Sequence, residues 1–166
     1  MEFQPGDDAV HPTYGVGHIV RCEVRQLGES TLQPYYVLSI GSTTVWVPRQ
    51  ADGSTTLRAV TVKQELEQYR LILKGRPLSL ERDHLKRQAA IHERLKPGSF
   101  QSLCEVVRDL TALGWQRPIN ERDAGVLQRI GNNLRREWAI AAGLSLPDAI
   151  QEVNALLRAG RSAYKV

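Results

Sequence analysis

The sequence predicts an α+β protein: a small N-terminal β-barrel, residues 1–60, followed by a compact all-helical bundle of about five helices, residues 61–166. Three observations carry that expectation. Up to about Val62 the chain is rich in β-branched and aromatic residues broken by turn residues. From Thr61 onward the apolar residues recur at helical spacing. No repeat or low-complexity stretch interrupts either half, so the boundary falls near residue 60 without a flexible linker.

The chain opens with Phe3-Gln4-Pro5-Gly6-Asp7, a turn in which proline presets φ and glycine permits a positive φ. Ala9-Val10 then forms a short strand, and His11-Pro12-Thr13-Tyr14-Gly15 a second turn. Strands follow at Gly17–Val24, Tyr35–Ile40 and Thr43–Pro48. Gly28-Glu29-Ser30 and Gly41-Ser42 separate them, the latter short enough to close a hairpin. Leu57–Val60 offers a closing strand. Five short strands in about sixty residues suit a barrel of Tudor or SH3-like type.

In the second half, Val62, Leu66, Tyr69, Ile72 and Leu73 mark a helix that stops at Lys74-Gly75. A second helix is expected from Ser79 to Leu95, ended by Lys96-Pro97-Gly98. Ser99 opens a third, whose face of Leu103, Val106, Val107 and Leu110 runs to Gly114. Asn120 and Asp123 read as a variant capping box for a fourth helix reaching Gly143. Ser145, with Pro147 in the first turn, starts a fifth.

Composition is that of an ordinary soluble globular protein, 42% hydrophobic and 24% charged. No apolar run approaches the ~20 residues that span a bilayer, and the N-terminus is unlike a signal peptide, so a cytoplasmic protein without membrane contact is expected. Cys22 and Cys104 show no pairing pattern and read as reduced, buried thiols. The net charge of +4 is unevenly spread. Residues 1–60 hold four Lys/Arg against six Asp/Glu, a net of −2, whereas 61–166 hold 18 against 12, a net of +6. A polyanion partner therefore belongs to the helical half, although solvated basic faces would show the same excess.

No enzymatic constellation is visible. His11, His18 and Cys22 lack the second Cys/His pair that would complete a tetrahedral metal set. Gly15-x-Gly17 precedes a strand and not a helix, which excludes a phosphate cradle. Glu121 and Asp123 suit the dipole of a helix start better than acid–base chemistry. The expectation is no catalysis, no cofactor, no metal and no small-molecule substrate. Two features bear on binding instead. Pro48 ends the strand of Thr44, Val45, Trp46 and Val47, and proline in sheets is confined to edges and strand ends. An edge can be extended by a partner, and Trp46 is an anchor if the valines fill the barrel, or a core residue if the faces are reversed. In the second helix, Arg82, Lys86 and Arg87, with His84 among them, form a ridge for phosphates or an ordinary solvated face paired with Glu81, Asp83 and Glu93.

The order of residues from Phe3 to Ile19, with Val45-Trp46-Val47-Pro48 and then Leu57-Arg58, resembles the N-terminal module of the CarD/CdnL family of bacterial RNA polymerase-binding transcription regulators. Glu105-Val106-Val107-Arg108-Asp109-Leu110 is similar to that family's third-helix signature. The resemblance implies docking on the RNA polymerase β subunit by strand pairing, at Arg25 and at Thr44, Val45, Trp46, Val47 and Pro48. At Trp46 relatives carry arginine. It also implies contact with promoter DNA at the upstream edge of the bubble, where relatives insert a tryptophan followed by a basic pair. Aligned on Leu95-Lys96-Pro97-Gly98, His84 stands in place of that tryptophan. Trp115 and Trp138 lie in other helices. The expected function is stabilisation of the open promoter complex through basic helices, with Arg82, His84, Lys86 and Arg87 on DNA. The alternative is an adaptor that binds polymerase or another partner without touching DNA.

Overall fold

The computed structural model describes residues 2–26, 28–29 and 31–166. Ser30, part of an expected turn, lies outside the described residues. The chain divides into two compact units, Met1–Val60 and Thr61–Val166.

The first unit is one antiparallel sheet of β1 (Asp8–His11), β2 (Gly15–Gln26), β3 (Leu32–Ile40), β4 (Thr43–Pro48) and β5 (Arg58–Ala59), in the order β4-β3-β2-β1-β5. Its turns obey the local chemistry. Asp7 N donates to the Gln4 carbonyl at 3.0 Å around Pro5 and a Gly6 at φ 100°, as a type II turn requires. Gly41, at φ 60°, takes the first central position of the two-residue β3–β4 hairpin. Phe3, Ala9, Ile19, Tyr36, Leu38, Ile40, Val47 and Leu57 form the core. Gly17 has no room for a side chain, because a Cβ there would lie 2.5 Å from Ile40 Cγ1 and 2.9 Å from the Ser39 carbonyl. Beyond the four β1 pairings, β2 has only β3 beside it and continues as a two-stranded arm. Cys22 sits on that arm and is exposed, contrary to the buried thiol expected, whereas Cys104 is buried.

The second unit holds α1 (Leu66–Leu73), α2 (His84–Leu95), α3 (Phe100–Gln116), α4 (Glu121–Ala142) and α5 (Leu146–Tyr164). A short 3₁₀ turn at Lys63–Glu65 precedes α1. Ser99, Asn120 and Ser145 cap their helices by accepting from Ser102 N, Asp123 N and Asp148 N. Gly143, at φ 68°, ends α4. Trp138 is fully buried at the centre of the core, stacked near Phe100 and donating Nε1–H to Glu152 at 3.1 Å.

Two sequence expectations need correction. The second helix starts at His84, not Ser79, and its cap is Asp83, whose carboxylate accepts from Lys86 N at 2.9 Å. The preceding segment is held without helix, with Leu78 N donating to Asp109 at 2.9 Å. The capping box of α4 is half made: Asn120 caps, but the Asp123 carboxylate turns away to Arg87. Among the described residues no helix is long and apolar enough to cross a membrane.

Candidate functional site

Two surfaces, one on each unit, carry the residues singled out by sequence. The first is the outer edge of the sheet. β4 pairs only with β3, so its other side meets no strand among the described residues. Arg49 N donates to the Pro34 carbonyl at 2.9 Å, which places 34/49 among the hydrogen-bonded pairs and, by alternation, 36/47, 38/45 and 40/43 as well. The N–H and C=O groups of Val45 and Val47 therefore point inward to β3. Those of Thr44 and Trp46, and the Pro48 carbonyl, point outward.

That parity revises two expected contacts. The Val47 side chain is buried in the core and Val45 packs against it, so neither offers a side chain to a partner. Period two then puts Trp46 on the opposite face, where it is 37% exposed. The Arg25 guanidinium, on β2, lies 4.7 Å from the Trp46 ring centroid, in cation–π contact. Arg25 also donates to Glu23, and Arg21 donates to the same carboxylate at 2.9 Å. Arg25 first, and Arg21 after it, hold the Glu23 carboxyl below its usual range. Sequence reasoning found Arg25 and Trp46 but not Glu23, whose place in an alternating Arg-x-Glu-x-Arg run on one strand face was its signal. The result is an amphipathic edge: an aromatic face with a cation over it, beside open backbone donors and acceptors.

The turn histidines have local roles. His11 Nδ1 accepts from Thr13 N at 3.1 Å and Tyr14 N at 3.2 Å, and burial holds the ring's pKa below its ordinary value. His18 Nδ1 lies 3.2 Å from Asp8.

The second surface surrounds the start of α2. Lys86 is exposed, and so is Arg82, which precedes the helix and does not share a helical face with it. Arg87 is a correction. Its side chain is only 2% exposed and reaches inward, with Nη2 2.7 Å and Nε 2.8 Å from Asp123 Oδ2. Its Nη1 donates to the carbonyls of Glu81 at 2.9 Å and Arg82 at 3.1 Å. The expected ridge of three cations therefore loses its third member, because a buried carboxylate on α4 claims it. His84 Nδ1 receives Arg87 Nη2 at 2.9 Å and Asn120 Nδ2 at 3.1 Å. As both partners are donors, Nδ1 is an acceptor here and Nε2 carries the proton.

Leu85, unnoticed in the sequence, is 75% exposed beside Lys86. Only the shifted helix start reveals it. The third-helix signature serves the fold. Its Asp109, fully buried, accepts from Arg94 at 2.7 Å, Arg108 at 2.9 Å and Leu78 N.

Comparison with known proteins agrees with the resemblance of the opening residues. Residues 3–60 match the CarD-like/TRCF RID domain family. A Bacillus subtilis (strain 168) protein named "Putative transcription factor YdeB" is 28% identical over 145 residues, which cover 86% of this chain and 94% of that protein. The chain is thus CarD-like, and its first unit is a RID domain.

Proposed function

We propose, on the premise that residues 3–60 form a CarD-like RID domain, that this protein is a transcription regulator that docks on the RNA polymerase β subunit through β4 and modulates the open promoter complex. The observation that carries the reading is the unpaired outer edge of β4, with Trp46 and Arg25 stacked beside it. Strand addition uses main-chain hydrogen bonds for affinity and adjoining side chains for specificity. Trp46 supplies the buried anchor of such an interface, and Arg25 and Arg21 supply its charged rim. On the helical unit Arg82 and Lys86 meet promoter DNA near the upstream edge of the bubble, with His84 and Leu85 between them. No chemistry is required. A protein that binds the opened promoter better than the closed one shifts the population by its differential affinity.

The test is capture of RNA polymerase by the full chain. Thr44→Pro deletes an outward N–H while sparing the inward ladder, and should abolish capture. Thr44→Ala should preserve it, and Trp46→Ala should weaken it by about 2 kcal/mol or more. Wild-type capture by Thr44→Pro would refute strand addition. The adaptor alternative gains from the burial of Arg87, which leaves fewer cations at the start of α2. It predicts polymerase capture with an open-complex lifetime indifferent to Arg82→Glu and Lys86→Glu.

A further inference from the structure

We infer that the groove between α2 and α4 is a seat for a nucleic-acid backbone, its phosphates held by Arg122 and Arg129. This rests on the DNA-binding reading above and adds a second helix to it.

Arg122, Arg129 and Arg136 recur seven residues apart along α4. Seven residues advance about 10.5 Å and drift only ~20° around a helix, so the three form an axial stripe about 21 Å long. Arg122 and Arg129 are exposed and Arg136 is half-buried. The carboxylates of the same helix are turned the other way. Asp123 and Glu137 are each 1% exposed. Asp123 is held by Arg87, and Glu137 accepts from the Thr61 amide at 3.1 Å and hydroxyl at 2.8 Å. Of the three acidic residues on α4, Glu121 alone is exposed. A helix face that is merely solvated mixes its signs, whereas α4 separates them, positive outward and negative inward.

Beside the stripe runs a groove of about 230 Å³. Ile91 and Val126 contribute its apolar floor, and its rim carries Gln88 and His92 from α2 opposite Arg122 and Arg129 from α4. The one carboxylate that reaches it, Asp123, is already neutralised by Arg87. Gln88, His92 and the two arginines are all side chains that donate to phosphate oxygens. The repeat of the stripe also fits a regular polyanion. About 10.5 Å along the helix corresponds to roughly three phosphates of one strand at ~3.4 Å each, so successive arginines meet equivalent phosphates.

Binding of the full chain to a promoter duplex, measured between ~50 and ~200 mM salt, tests this. Arg122→Gln/Arg129→Gln should flatten the slope of log K against log salt by about 2, at ~0.9 for each phosphate no longer neutralised. Over that salt range it should then lose roughly twelve-fold less affinity than wild type does. Arg122→Lys/Arg129→Lys keeps both charges and should keep the slope, and unchanged helical melting of both variants shows that the fold is intact. A wild-type slope in the glutamine pair overturns the inference, and if Arg82→Gln/Lys86→Gln flattens the slope instead, the DNA reading survives with α2 as its sole contact. If the glutamine pair binds DNA normally but captures less polymerase, the groove seats an acidic protein surface and the inference is again overturned. No salt-dependent DNA binding by wild type would sink both readings.

Discussion

Replacing Arg87 with methionine should damage the fold and not the DNA contact directly, which separates the buried keystone from the ridge that its sequence position suggested. Methionine keeps most of the side-chain length but removes every donor. The Asp123 carboxylate, 1% exposed, then loses the guanidinium that lies 2.7 and 2.8 Å away. The carbonyls of Glu81 and Arg82 lose donors too, but both residues are exposed and water can replace them. The dominant cost is the uncompensated buried charge, about 3–5 kcal/mol. In a unit the size of Thr61–Val166, about 4 °C is lost per kcal/mol, so the helical transition should fall by roughly 12–20 °C. Arg87→Met/Asp123→Leu removes both charges and should recover most of that loss, giving a large favourable coupling in a double-mutant cycle. Thermal unfolding followed by the helical far-UV signal measures all three variants. An Arg87→Met protein that melts within a degree or two of wild type and binds DNA weakly would refute the assignment and return Arg87 to the phosphate surface.

Three further outcomes are expected. Gly17→Ala should destabilise the sheet by about 1–3 kcal/mol in denaturant titration, because its Cβ would collide with Ile40, Leu38 and the Ser39 carbonyl, and a neutral result would mean that β3 can recede. The pKa of His11 is depressed by burial, so the unfolded chain binds its proton more tightly: the stability it confers is full above the unfolded value of about 6.5 and is lost as pH falls through the lower folded value. Hydrogen exchange of the β1–β2 amides should show that loss in wild type and a flatter profile in His11→Gln. Finally, His84→Trp should lengthen the open-complex lifetime by adding a larger apolar wedge beside Leu85, whereas His84→Ala should change it little. An alanine variant as defective as Arg82→Glu/Lys86→Glu would make His84 a specific DNA contact.

Much of this molecule is legible from local chemistry. The caps at Ser99, Asn120 and Ser145, the glycine end of α4, the Pro5-Gly6 and Gly41-Ser42 turns and the edge character of a strand ending in Pro48 all follow from φ preferences, missing donors and orphan N–H groups, which act over three or four residues. The strand period likewise allowed Trp46 to lie opposite Val45 and Val47. Which face was buried depended on Phe3, Ile19 and Tyr36 arriving from elsewhere in the chain. The same holds for charge. Arg82, Lys86 and Arg87 are three alike cations in sequence, and Asp83 and Ser79 are both acceptable caps. Leu78 N on Asp109 keeps residues before His84 out of the helix, and Asp123, 36 residues further along the chain, draws Arg87 inside. Sequence determines what each segment prefers, because those preferences are short-range. Only the tertiary structure decides which charges are desolvated and which remain for a partner, because that depends on which distant groups are brought to face them.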